Sequence, residues 1–92
     1  MLFRSNRGKI LDEAKRLTHA DRQDDYGTPA INFDRISRLL SAYLDREITP
    51  EQGAMICALI KVARSMETYK ADNYIDGAAY FAIAGELANG KN

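Results

Sequence analysis

The chain has 92 residues, with 13 basic and 13 acidic side chains balancing to a net charge of zero, and a pI near 6.6. Acids and bases are mixed along it rather than blocked, which excludes an extended nucleic-acid surface and a membrane-surface helix and leaves binding of a small anion open. A single cysteine, Cys57, excludes an internal disulfide and a cysteine-based zinc cluster.

The N-terminal stretch MLFRSNRGK has a charge after two apolar residues, so it lacks the core of a signal peptide. No apolar run reaches the roughly 18 residues that span a bilayer. A cytoplasmic protein with no membrane partner is expected. Thirteen alanines stand against one valine, a composition that favours helices over strands.

The first helix is expected over residues 6–18, with Ser5 as N-cap and Ile10, Leu11, Ala14 and Leu17 as a narrow apolar stripe. The segment from His19 to Gly27 has no periodicity and ends in Gly27-Thr28-Pro29, where a glycine turn, a capping threonine and a proline at the first helical position start the second helix, 29–45. Its apolar positions Phe33, Ile36, Leu39, Leu40, Tyr43 and Leu44 keep a 3.6 period, with Asp34, Arg35, Arg38 and Ser41 on the other side. The third helix, 50–66, has the clearest start: Thr49-Pro50-Glu51-Gln52 holds the elements of a capping box. From Ala54 to Ala63 it is apolar nearly all round, which places it in the middle of a bundle or in an oligomer interface. The fourth helix, 72–88, turns Ile75, Ala78, Ala79, Ala82, Ile83 and Leu87 inward and ends at Asn89-Gly90.

Residues 1–92 therefore read as a single all-α domain. Short connections make sequential helices antiparallel neighbours, giving a four-helix up-down-up-down bundle. A chain of this size buries only about 60–65% of its unfolded surface, so self-association as a homodimer through helix 3 or 4 is expected.

That topology gathers the unusual polar residues at one end: Asp25 and Tyr26 in the first connection, Asn32 and Phe33 at the start of helix 2, Lys61 and Arg64 near the end of helix 3, and Asp72, Asp76 and Tyr80 on one side of helix 4. Two cations beside helix N-termini suit a phosphate. Two carboxylates suit Mg2+ shared with a substrate phosphate. Asp72 and Asp76 are thus the candidate metal ligands, and the others the candidate ligand-binding set for a nucleotide or related phosphate. The alternative is structural. In that reading Asp72 caps or complements helix 4, the cations pair with the acids, and Tyr26 folds onto the core. A buried Lys61 would in either case need a partner. His19, with no second histidine in the chain, reads as a partner for the C-terminal end of helix 1. No nucleophile motif surrounds any serine.

The residues Asp25-Tyr26-Gly27, Asn32-Phe33, Lys61-x-Ala63-Arg64 and Asp72-x-x-x-Asp76-x-x-x-Tyr80, in that order, resemble a small all-α domain of unknown function found in phages and prophages. That domain is in turn distantly similar to the MazG-like all-α nucleoside triphosphate pyrophosphohydrolases, which present E-x-x-E and E-x-x-D carboxylates to Mg2+. Asp76 matches the final Asp, but Asn73 stands where its Glu would be, and helix 2 offers only Asp34 before Asp45. The resemblance implies a phage accessory protein binding a nucleotide, either with Mg-dependent hydrolysis or without chemistry. In the second case it implies a counter-defence protein that inhibits a host complex such as CRISPR or sequesters a nucleotide signal.

Overall fold

A computed structural model describes residues 6–19 and 27–90. It contains four helices: α1 (Asn6–His19), α2 (Pro29–Leu44), α3 (Pro50–Ser65) and α4 (Ala71–Ala88). Among the described residues there is no strand, and no helix is long and apolar enough to cross a membrane.

The helix starts follow from local chemistry. Gly27 takes a positive φ of 81°. Thr28 then accepts a hydrogen bond from the Ile31 N–H at 3.4 Å, and Pro29 needs no donor partner. At α3 the Gln52 N–H donates to Thr49 Oγ1 at 3.2 Å, and the Thr49 N–H donates to Gln52 Oε1 at 3.0 Å, which closes the expected capping box. α4 begins after Lys70 with no side-chain cap, and Asp72 lies in its first turn, where its charge complements the helix dipole.

α2 stops at Asp45, whose backbone is left-handed at φ 54°. Glycine occupies that region without the Cβ clash, so Asp45→Gly should stabilise the protein by about 0.5 kcal/mol in urea denaturation. A loss of stability would instead assign the aspartate side chain a stabilising role in the turn. Ser41 ties down the following loop. Its hydroxyl accepts from the Ile48 N–H at 2.8 Å and lies 2.7 Å from the Ser37 carbonyl, to which it donates.

α3 and α4 form an antiparallel hairpin: Lys61 meets Asp76 near the turn, and Ala54 joins Ala84 in the core towards the open end. α4 also packs on α1, and α2 packs on α3. The crossing of α2 is centred on Gly53, where an added Cβ would lie 3.5–3.9 Å from Ile36, Phe33 and Leu40. These packings make the four-helix bundle that the helix pattern predicts.

The buried apolar residues are Phe33 and five alanines: Ala14, Ala54, Ala58, Ala79 and Ala84. The alanines let backbones approach closely, and Phe33 supplies the one large buried side chain among the described residues. The expected inward faces need correcting in part. Leu11, Leu39, Tyr43, Leu44 and Ala82, expected on apolar inward faces, are exposed, while Ser37, to which no inward position was given, is buried. The inward face of α2 is set by its crossing at Gly53, and Ser37 is accepted there because its hydroxyl donates to the Asp34 carbonyl at 3.0 Å. On the outer side of α3, Leu59, Ile60 and Val62 are exposed among the described residues.

Candidate functional site

The end of α1, the start of α2 and the middle of α4 border a cavity of about 50 Å³. Its apolar wall comes from Leu17, Pro29, Ala79 and Ile83, together with Phe33 and Tyr80. The last two rings meet edge to face, with centroids 6.2 Å apart and planes at 86°. Polar groups enter from separate segments: Thr18 from α1, Asn32 from α2, and Asp76 with Tyr80 from α4. Gly27 also lines the space, so the backbone that begins α2 borders it.

Lys61 reaches this site from α3. Its Nζ lies 2.9 Å from Asp76 Oδ2, with the two side chains 18% and 28% exposed. Gly77 lies against the lysine stem, where a Cβ would be in ordinary contact, 3.6 Å from Lys61 Cβ. Cys57, one turn before Lys61, is half-buried. Burial pushes its thiol up, against a smaller opposite pull from Lys61, so it stays protonated at neutral pH and is a poor nucleophile.

Of the residues the sequence singled out, Asn32, Phe33, Asp76 and Tyr80 line one cavity, and Lys61 joins through Asp76. Arg64 and Asp72 are exposed and do not line it. Asp25 and Tyr26 lie outside the described residues. His19 behaves as expected for a helix end: its Nδ1 lies 2.9 Å from the Lys15 carbonyl and donates to it when protonated. Thr18 was not singled out by sequence reasoning, and Ala79 and Ile83 were read as inward core positions of the fourth helix rather than as cavity walls. Their role depends on how α1 crosses α4, for which the α1 stripe gives no signal.

A Mg2+ ion held by Asp72 and Asp76 would have to displace Lys61 from Asp76. Among the described residues no group of three or more His, Cys, Asp or Glu side chains is placed to hold a metal. As placed, the two carboxylates do not fit a Mg2+ centre, and no hydrolytic step is assigned to them.

Residues 9–88 match the family described as domain of unknown function DUF6378. The chain belongs to this family. It is similar to the Gene 55 protein of Mycobacterium phage D29, with 43% identity over 72 residues that cover 77% of this chain and 48% of the relative. The Gene 55 protein of Mycobacterium phage L5 is 38% identical over 76 residues, covering 80% of this chain and 49% of the relative. The chain thus spans about half the length of the curated relatives it matches. No solved structure matches it. The match to DUF6378 takes in Lys61 and every residue that lines the cavity, from Leu17 to Ile83.

Proposed function

We propose that this DUF6378 domain binds a nucleotide or related phosphate-bearing small molecule without breaking a bond in it. The observation that carries the reading is the convergence of Asn32, Asp76 and Tyr80 from two helices on one apolar cavity beside the Lys61 ammonium. A structural ion pair alone does not call for an amide and a phenol on the same hollow. A space of about 50 Å³ accepts the edge of a base or sugar, not a whole nucleotide. Asn32 and Asp76 offer the donor and acceptors that read such an edge, and Phe33 and Tyr80 offer ring faces and edges to pack on it. The phosphates would lie outside, towards the N-terminus of α2 at Gly27 to Pro29, where backbone N–H groups and the dipole favour an anion. Sequestration of a nucleotide signal is the use that fits a site with this polarity and no metal cluster among its described residues.

Thermal unfolding with a panel of nucleosides, nucleoside mono- and triphosphates and cyclic nucleotides, each with and without Mg2+, tests this. A ligand at 100 times its dissociation constant should add about 2.7 kcal/mol of stability. The response should persist in chelator and disappear in Asn32→Ala. Absence of any shift across the panel would refute nucleotide binding. A response that requires Mg2+ and is accompanied by pyrophosphate release would replace binding by hydrolysis.

A further inference from the structure

Asp76 and Asn32 present different hydrogen-bonding chemistry to the same hollow. One oxygen of Asp76, Oδ2, lies 2.9 Å from the Lys61 ammonium, and a carboxylate has about four lone-pair positions, so the group can still accept elsewhere. Among the described residues no other hydrogen bond or ion pair engages the Asp76 carboxylate, and none engages the Asn32 side-chain amide. Both side chains line a cavity of about 50 Å³, which brings them to one small group. The neighbouring walls at Phe33, Ala79 and Ile83 offer no competing hydrogen bonds.

We propose that the base read by this site is guanine, an inference that rests on the nucleotide binding proposed above. The carboxylate carries the choice. It accepts and does not donate, so the edge that fits it turns two neighbouring N–H groups towards it and no lone pair. The Watson–Crick edge of guanine has such a pair, the ring N1–H beside the 2-amino group, with the O6 acceptor on the other side of N1. Adenine sets a ring lone pair beside its 6-amino group, and cytosine sets one beside its 4-amino group, so both turn a lone pair towards the carboxylate. Uracil and thymine have one N–H between two carbonyls. Guanine is thus the common base that gives Asp76 two charge-assisted hydrogen bonds, while the Asn32 amide donates to O6.

Lys61 sharpens the selection. A free guanidinium or amidine also offers paired N–H groups to a carboxylate, but it would bring a second cation beside the ammonium that lies 2.9 Å from Asp76. Lys61 and Asp76 together carry no net charge, so a neutral base edge meets no such repulsion.

Thermal unfolding of the full chain, titrated with the monophosphates of guanosine, inosine, adenosine, cytidine and xanthosine, tests the choice. The wild-type protein should bind the guanosine nucleotide most tightly. The inosine nucleotide keeps N1–H and O6 but lacks the 2-amino group, and it should bind at least about 5-fold more weakly, with the adenosine and cytidine nucleotides weaker still. Asp76→Asn replaces two acceptors by one acceptor and one donor, which matches the N1–H and the C2 carbonyl of xanthine. It should lose the guanosine nucleotide and gain the xanthosine nucleotide, an exchange that a mere loss of folding stability does not produce. Adenosine or cytidine nucleotide bound by the wild type as tightly as the guanosine nucleotide overturns guanine and leaves nucleotide binding standing. Inosine nucleotide bound as tightly as the guanosine nucleotide overturns the pairing with Asp76, whether or not Asp76→Asn folds. A folded Asp76→Asn that still prefers guanosine to xanthosine nucleotide overturns it too, and binding of none of the five overturns both readings.

Discussion

Phe33→Ala should remove about 3–5 kcal/mol of folding stability, the range for truncating a well-packed core phenylalanine. The side chain is 2% exposed and sits among Ala54 and Ala84, with Ile36, Cys57, Tyr80 and Leu87 packed around it. Alanines cannot move into the space that its ring leaves, because their backbones are already held by helix packing. A domain of this size has a total stability of about 5–14 kcal/mol. The substitution therefore takes a large fraction of the whole, and urea denaturation should show a much lower midpoint with helical signal still present in the absence of urea. A loss below about 1 kcal/mol would mean that the α2 crossing does not depend on this ring.

The second large effect is expected at the ion pair. Lys61→Met keeps the aliphatic stem and removes the ammonium, which leaves the Asp76 carboxylate at an apolar cavity wall without its partner 2.9 Å away. Breaking a fully buried pair costs about 3–5 kcal/mol, and an exposed pair is worth at most about 1. The 18% and 28% exposure of these side chains lies between those limits, so a loss of about 1–3 kcal/mol is expected. Asp76→Asn should cost less than the lysine change, because Lys61 can keep a neutral hydrogen-bond partner. The double variant Lys61→Met with Asp76→Asn should recover part of the loss, with a coupling of about 0.5–3 kcal/mol in a denaturation cycle. Strict additivity would show that the two side chains are neighbours without being partners.

Much of the fold was legible because helix ends are written in short local codes. Thr49 with Gln52, and Gly27 with Thr28 and Pro29, each satisfy backbone donors within a few residues, so no tertiary knowledge is needed to find them. The inward face of α2 was less legible. Its apolar residues cover more than one side, and only the crossing at Gly53 decides that Phe33, Ile36 and Leu40 turn inward while Leu39 and Tyr43 do not. The buried Ser37 shows the limit of polarity as a guide, since a serine can satisfy its hydroxyl on its own helix.

The candidate site divides in the same way. Asp76 and Tyr80, four residues apart, share a helix side by geometry alone, and Lys61 finds Asp76 because a short connection makes α3 and α4 antiparallel. The contribution of α1 could not be read, because a single stripe of Ile10, Ala14 and Leu17 fits several crossing angles against α4. Arg64 was grouped with Lys61 by spacing, but sharing a helix side did not bring it to the cavity: Arg64, at the last turn of α3, is exposed and does not line it.

The start of α4 is less protected against fraying than the starts of α2 and α3. Its first turn has no side-chain cap, whereas the starts of α2 and α3 are both closed by threonines. The ion pair at Asp76 is then a cross-helix tie in the second turn of the helix. Backbone amides before that tie should exchange with solvent by local opening, and those after it should be protected to nearly the stability of the whole domain.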